Sequence, residues 1–304
     1  MNDVPLVSVC VTTYHSSEFV IETLDSIYRQ SYPNIELIVS DDGSTDDTVE
    51  KVQQWLSESG HKFTKTFLLT VGENTGLTAN YTRALRQASG EWVKTIAGDD
   101  FLYPDAIESF VSFVQERKAE DIALVVSSIR IFNEHPDNLL YIWPDFKISE
   151  SIRQQLKRQI IGDYIKAPGV IFKREIFEKL GGFDPNYPML EDDPLWIRFL
   201  TNGYKFYFHN EVLVGYRIHP NSISNGSDIP KKNFFPSLYG FMKEVAFPLM
   251  IKNRLYVSYI AQRMEYNVYH KVIYSGKERK RDKLQLKIAY SIKNIINRLN
   301  KWRS

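Results

Sequence analysis

With one cysteine, Cys10, in 304 residues, no internal disulfide is possible. Nothing in the chain therefore calls for an oxidising compartment. No apolar run approaches the roughly 18 residues that a membrane-crossing helix needs. The first residues set no basic stretch ahead of an apolar one, so no secretory leader is expected either. Internal repeats are absent, and nothing beyond local charge speaks for nucleic acid, so no nucleic-acid partner is expected. Cys10 itself lies in the apolar stretch 6–11 and reads as a small buried residue rather than a reactive thiol. What the chain does have is 43% hydrophobic residues against 25% charged. At this length that is enough for a sizeable core in one large domain or two smaller ones.

The net charge of +1 conceals an imbalance. Residues 231–304 hold 17 Lys and Arg against 4 Asp and Glu, whereas the preceding residues hold 21 against 33. An acidic body suits cation or catalytic chemistry, and a basic tail suits an anionic surface or partner.

Strand and helix patterns alternate through the first 130 residues. Apolar, β-branched strands are expected at 6–12, 35–39, 66–70, 92–96 and 122–127. Helices are expected between them at 18–30, 46–56, 78–88 and from Pro104 to about 116. This order predicts an α/β protein with a mostly parallel sheet covered by helices on both faces. Ligands of such sheets bind beyond the carboxyl ends of the strands. Three polar clusters fall there: Thr12-Thr13-Tyr14, Asp41-Asp42-Gly43-Ser44 and Gly98-Asp99-Asp100. Further on, 169–172 reads as a strand, 191–200 as a helix, and 204–208 and 212–216 as two short aromatic strands. Residues 221–230, rich in Asn, Ser and Gly, read as a mobile loop, and the chain turns helical, aromatic and basic from about 234.

Four clusters carry candidate chemistry. Asp99-Asp100 follows a buried strand, where a hard divalent cation finds carboxylate oxygens to share with substrate phosphates; the same pair fits a helix-capping turn. Asp41-Asp42 has a carboxylate suited to a base N–H or a ribose hydroxyl, and is equally ordinary turn chemistry. Glu191-Asp192-Asp193 opens a helix; crowding among the three pulls at least one pKa up towards that of a general base, while the helix dipole, which favours ionised acids there, pulls the other way, and the sequence leaves the balance open. In Tyr216-Arg217-Ile218-His219, the imidazole suits a metal shell and Arg217 suits diphosphate oxygens.

Taken in order, these segments resemble the family 2 glycosyltransferases, inverting enzymes of the GT-A fold. The resemblance rests on Val7-Ser8-Val9-Cys10-Val11-Thr12-Thr13-Tyr14-His15, on Pro33 to Asp46 with its Asp41-Asp42-Gly43-Ser44, and on Asn74-Thr75-Gly76-Leu77. It continues through Gly98-Asp99-Asp100, Gly181-Gly182-Phe183-Asp184, Glu191-Asp192 and Tyr216-Arg217-Ile218-His219, covering about residues 5–225. It implies a GT-A, Rossmann-like catalytic domain over 1–228, with a nucleotide-binding half at 1–130 and an acceptor half at 131–228. Residues 229–304 would form a basic, aromatic helical extension. It also implies that Thr12, Tyr14 and Asp42 meet the nucleotide base, that Asp99 meets the ribose or metal shell, and that Asp100 is the main ligand to Mn²⁺ or Mg²⁺. Asp192 matches the general base, with Glu191 beside it, and His219 matches a residue near the metal and diphosphate.

Three positions depart from the family pattern. Gly98 stands where an extra acid is frequent, Pro194 replaces the second Asp of the Glu-Asp-x-Asp-Leu motif, and Tyr81 aligns with a frequent Arg. The implied activity is transfer of a sugar from a nucleotide-diphosphate donor, UDP first, to a hydroxyl of a lipid-linked oligosaccharide, as in O-antigen or capsule synthesis. The basic tail, with Leu284, Leu286, Ile288, Ile292, Ile295, Ile296 and Leu299 among Lys and Arg, suits an anionic membrane surface. The expected location is the cytoplasmic, inner face of the cell membrane. Sugar choice is expected to lie in 130–190 and 221–232. Two other readings are a sugar nucleotidyltransferase, for which a Gly-rich basic loop after the first strand is missing, and a non-catalytic nucleotide-sugar-binding module.

Overall fold

A computed structural model describes residues 4–117, 121–144, 151–162, 164–220, 222, 230–277 and 279–301. Its first half follows the expected alternation: β1 (Val7–Thr13), α1 (Val20–Tyr28), β2 (Ile35–Asp41), α2 (Thr48–Ser59), β3 (Lys65–Thr70), α3 (Leu77–Gln87), β4 (Trp92–Ala97), β5 (Phe101–Leu102) and α4 (Ala106–Arg117). Then come β6 (Leu124–Asn133), β7 (Leu139–Trp143), α5 (Ile152–Ile161), β8 (Val170–Lys173), α6 (Arg174–Lys179), α7 (Asp192–Thr201) and β9 (Tyr207–Ile218). The extension holds α8 (Phe235–Phe241), α9 (Phe247–Lys252), α10 (Tyr256–Ser275) and α11 (Lys280–Lys301). Residues 221 and 223–229, most of the segment expected to be a mobile loop, lie outside the described residues.

The sheet runs β3-β2-β1-β4-β8-β6-β9-β5, with β7 on β6. β3, β2, β1 and β4 pair in parallel, as the alternation predicts. Every residue of β1 and β2 is buried, so this half is covered on both faces. Beyond β4 the simple pattern ends. β8 enters antiparallel between β4 and β6, and β6 then pairs in parallel with β9. The two short strands expected at 204–208 and 212–216 are one strand, β9. Opposite Ser127 and Ser128 its register jumps from His209 to Val212, so the polar Asn210-Glu211 pair interrupts the apolar pattern without ending the strand.

The main core joins both halves of the sheet. A second core sets Ile160 of α5, Ile197 of α7, Tyr187 and Leu190 against Phe241, Met242, Ala246, Phe247 and Met250. The start of the extension is thus packed on the helices that flank the site. A hairpin of α10 and α11 is pinned by Lys271, whose ammonium donates to both oxygens of Asp282 at 2.6 and 2.7 Å. None of the helices among the described residues is long and apolar enough to cross a membrane.

Candidate active site

The carboxyl ends of β1, β2 and β4 open into a cavity of about 1130 Å³. All nine residues singled out from the sequence line it: Thr12, Tyr14, Asp42, Asp99, Asp100, Glu191, Asp192, Arg217 and His219. They come from segments far apart in the chain, and the strand order gathers them at one edge of the sheet.

The β1 and β2 ends form the first wall. Thr12 is buried, and its carbonyl accepts from the Gly98 N–H at 2.9 Å. Tyr14 is 48% exposed, with its ring stacked on His15 at 4.2 Å, which gives the cavity a flat aromatic rim. The two acids of the Asp41-Asp42 pair do different work. Asp41 builds the turn, taking hydrogen bonds from Thr13 Oγ1, Ser44 N and Ser44 Oγ. Asp42 reaches the neighbouring loop, accepting from Thr75 N at 2.9 Å, Thr75 Oγ1 at 2.5 Å and Gly76 N at 2.8 Å, and from Arg83 Nη2 at 3.0 Å. Its two oxygens thus already hold four protein donors. Gly43 permits this approach: a Cβ there would lie 2.8 Å from the Glu73 backbone.

The turn after β4 holds Asp99 and Asp100. Asp100 is 1% exposed; its Oδ1 accepts from the Arg217 N–H at 2.9 Å, while Oδ2 is buried with no hydrogen-bond partner among the described residues. Burial, and then the charge of Asp99, pushes the Asp100 carboxyl well above the usual carboxylate range. A buried carboxylate oxygen left unpaired is costly unless something positive meets it. His219 Nε2 lies 2.9 Å from Asp99 Oδ2, so Asp99 is the carboxylate that orients the imidazole. Gly98 now has a steric explanation. A Cβ there would sit 2.8 Å from Thr13 Cγ2, so this site leaves no room for the acid frequent at that position.

Arg217, expected near the diphosphate, lines the cavity with a buried side chain. Nε donates to the Asp99 carbonyl at 2.8 Å, Nη2 to Glu22 at 2.5 Å and Nη1 to the Glu134 carbonyl, with Phe19 and Phe132 against its faces. It holds the Asp99-Asp100 turn in place with three of its five N–H groups.

Across the cavity, α7 begins at Asp192. Asp192 Oδ1 accepts from the Asp193 N–H at 2.8 Å, and Asp193 Oδ1 accepts from Gln159 at 2.7 Å. Glu191 is 8% exposed, and burial followed by the charge of Asp192 pushes its carboxyl well above the ordinary range. Of this pair, Asp192 is the more accessible to solvent. Pro194 sits in the first turn, where no N–H is needed, so the departure at that position leaves the helix start intact.

Two polar residues escaped the motifs. Arg83 joins Asp42, Ser40 Oγ, the Asp41 carbonyl and Asn80 Oδ1 into one cluster behind the first wall. Its signal in the sequence is faint, a helix position three residues after Asn80 on the same face. Tyr81, left without a role above, is buried on the cavity wall. Burial, then the charge of Glu191, raises its phenol well above the ordinary value against a hydrogen bond from Thr12. The far wall is apolar and comes partly from the extension: Phe234, Leu238, Phe241, Met242 and Tyr266 face Ile160, Ile161 and Leu190.

Comparison with known proteins agrees with this geometry. The model of the family described as "Glycosyl transferase family 2" matches residues 8–181. The chain is 30% identical over 234 residues to a putative teichuronic acid biosynthesis glycosyltransferase, TuaG, of Bacillus subtilis, covering 76% of this chain and 86% of that one. It is 27% identical over 252 residues to an uncharacterized glycosyltransferase of Rickettsia typhi, covering 81% and 74%. Residues 1–349 of S. aureus TarS, solved in complex with UDP-GlcNAc, superpose with a TM-score of 0.60 at 16% identity, covering 93% of this chain and 79% of that fragment. The chain spans 43% of the longer TarS chain. The structural likeness establishes the GT-A fold. Together, the matching residues and the fold place the chain in glycosyl transferase family 2.

Proposed function

We propose that this enzyme transfers a sugar, with inversion, from a UDP-sugar to a hydroxyl of a lipid-linked glycan during polysaccharide synthesis. The observation that carries the reading is the pairing, in one cavity, of Asp100 with its unpaired buried oxygen and Asp192 with its accessible carboxylate. TarS, of the same fold, was solved with UDP-GlcNAc, and TuaG is named for teichuronic acid biosynthesis; both support the donor and product classes.

In the reaction, Thr12, Tyr14 and the loop tied to Asp42 bind the nucleotide. Asp192 takes the proton of the acceptor hydroxyl. The oxygen attacks the anomeric carbon from the face opposite the diphosphate while the bond from that carbon to the diphosphate oxygen breaks, through an oxocarbenium-like transition state. Asp192 is the acting base because it is the more accessible of the pair, whereas Glu191 is buried beside it. The residues fit a divalent cation: Asp100 Oδ2 is a hard oxygen without a hydrogen-bond partner among the described residues, and His219, oriented by Asp99, lines the same cavity. Mg²⁺ or Mn²⁺ held by one or two protein groups would take its remaining ligands from water and substrate phosphates. When bound, such an ion supplies Lewis-acid stabilisation of the leaving diphosphate. The apolar far wall suits an acceptor whose carrier is a lipid and supports a location at the inner face of the membrane.

The test is a panel of nucleotide-sugars with Mn²⁺ and a lipid-linked acceptor, followed by release of nucleoside diphosphate. UDP release from a UDP-sugar, with glycan extension seen by mass spectrometry, is expected. Release of pyrophosphate from a nucleoside triphosphate and a sugar phosphate would overturn the reading.

A further inference from the structure

The corner between α9 and α10 exposes four large apolar side chains within ten residues: Ile251, Tyr256, Val257 and Ile260, with Val257 60% exposed. Lys252, Arg254 and Arg263 stand exposed among them. No Asp or Glu occurs between Glu244 and Glu265. The opposite side of the same helix is buried at Ser258, Ala261 and Gln262, and Gln262 and Tyr266 reach the cavity. One helix, about 10–12 Å thick, therefore turns an inner face to the candidate active site and an outer face to this patch.

We propose that the α9–α10 corner docks the enzyme on an anionic lipid surface, which rests on the lipid-linked acceptor reading above and names where that lipid lies. Charge complementarity selects this occupant. Apolar and aromatic side chains enter the headgroup boundary, while the flanking cations meet anionic headgroups. A second copy of the chain is disfavoured, because an isologous contact would press Lys252 and Arg254 against the same cations of its mate. Docked this way, α10 holds the mouth of the cavity at the level of the headgroups, where the sugar end of a lipid-linked acceptor sits. The α11 stripe has the same character, with Leu284 and Ile288 exposed beside Lys283 and Lys287.

Vesicle flotation tests the assignment. The full-length protein is expected to float with vesicles of phosphatidylglycerol and phosphatidylcholine and not with phosphatidylcholine alone. A Val257→Glu, Ile260→Glu double variant and a Lys252→Gln, Arg254→Gln double variant should each lower partition about tenfold or more. Melting temperature and nucleoside diphosphate release from a soluble nucleotide-sugar should stay those of the wild type. Flotation unchanged in both variants, or independent of phosphatidylglycerol, overturns the proposal. A dimer by light scattering that Val257→Glu, Ile260→Glu abolishes overturns it in favour of a second copy. Since donor turnover is read without lipid, failure of the docking and failure of the glycosyl-transfer reading remain distinguishable.

Discussion

Asp192→Asn removes the charge that takes the acceptor proton and little else. The Asp192 carboxylate lies in the first turn of α7, with Oδ1 accepting from the Asp193 N–H. An asparagine there keeps its volume and that acceptor, so helix and cavity wall should survive. General-base catalysis is worth roughly 10²–10⁴-fold, or about 3–5 kcal/mol of barrier. The variant should lose that much in kcat while its donor Kd, measured by calorimetry, stays within about twofold. Glu191→Gln is the control. Burial and the neighbouring Asp192 already push Glu191 towards its protonated form, which an amide imitates, so turnover should stay within about tenfold. The linkage has a definite sign. The folded pKa of Glu191 is raised, so folding binds a proton, and the wild type loses stability as pH rises from the ordinary glutamate value through the folded one. Glu191→Gln lacks that loss, and its melting temperature should climb relative to the wild type across the same window. Near-normal turnover of Asp192→Asn would refute the base assignment. An equal loss in Glu191→Gln would move that role to Glu191.

Asp100→Ala should abolish metal-dependent donor binding, and unchanged affinity by calorimetry with Mn²⁺ would remove Asp100 as the ligand. Lys94 is fully buried, donates to the carbonyls of Thr95 at 2.6 Å and Pro168 at 2.7 Å, and so ties β4 to the cavity-lining turn at Ala167–Gly169. Lys94→Met should raise the donor KM roughly tenfold through loss of that tie. Burial pushes the Lys94 ammonium down to about 7, so the wild type should gain stability over Lys94→Met as pH rises through 7 towards the ordinary lysine value; a pH-independent difference counts against this. Glu36, fully buried, clamps Ser8, Ser89 and Gly90 at the start of β2. Burial works to raise its pKa, but these hydrogen bonds outweigh it and hold the carboxyl below the usual range. Glu36→Ala removes the shared acceptor of Ser8 Oγ, Ser89 N–H and Ser89 Oγ, while the Gly90 N–H keeps Ser8 Oγ, and should cost about 1–3 kcal/mol in denaturant unfolding, with donor affinity retained. The Glu36 contribution is present above the ordinary glutamate value and fades as pH falls through the folded one.

The sequence by itself determined the parallel half of the sheet and nine of the cavity's residues, most of them acids. Strands β1, β2 and β4 are short and buried, the edge strand β3 only partly so, and helices follow β1, β2 and β3. That local pattern leaves few topologies open. The acids, Tyr14 and His219 follow strand or helix ends, where the fold class itself predicts a ligand. What the sequence left open depends on contacts across long separations. Which acid of Asp41-Asp42 builds its own turn was invisible until Thr75 and Arg83 were seen on Asp42. The sequence offered Arg217 for its guanidinium; only tertiary packing shows that Glu22, the Glu134 carbonyl and two aromatic rings hold it against the Asp99-Asp100 turn. β8 runs antiparallel between β4 and β6 because pairing is chosen by distant partners, not by its four residues. The extension read as a basic tail, since composition reports charge along a chain and not which side faces inward. Folding set one side of it, from Phe234 to Tyr266, into the cavity wall and left Val257 and Ile260 facing out.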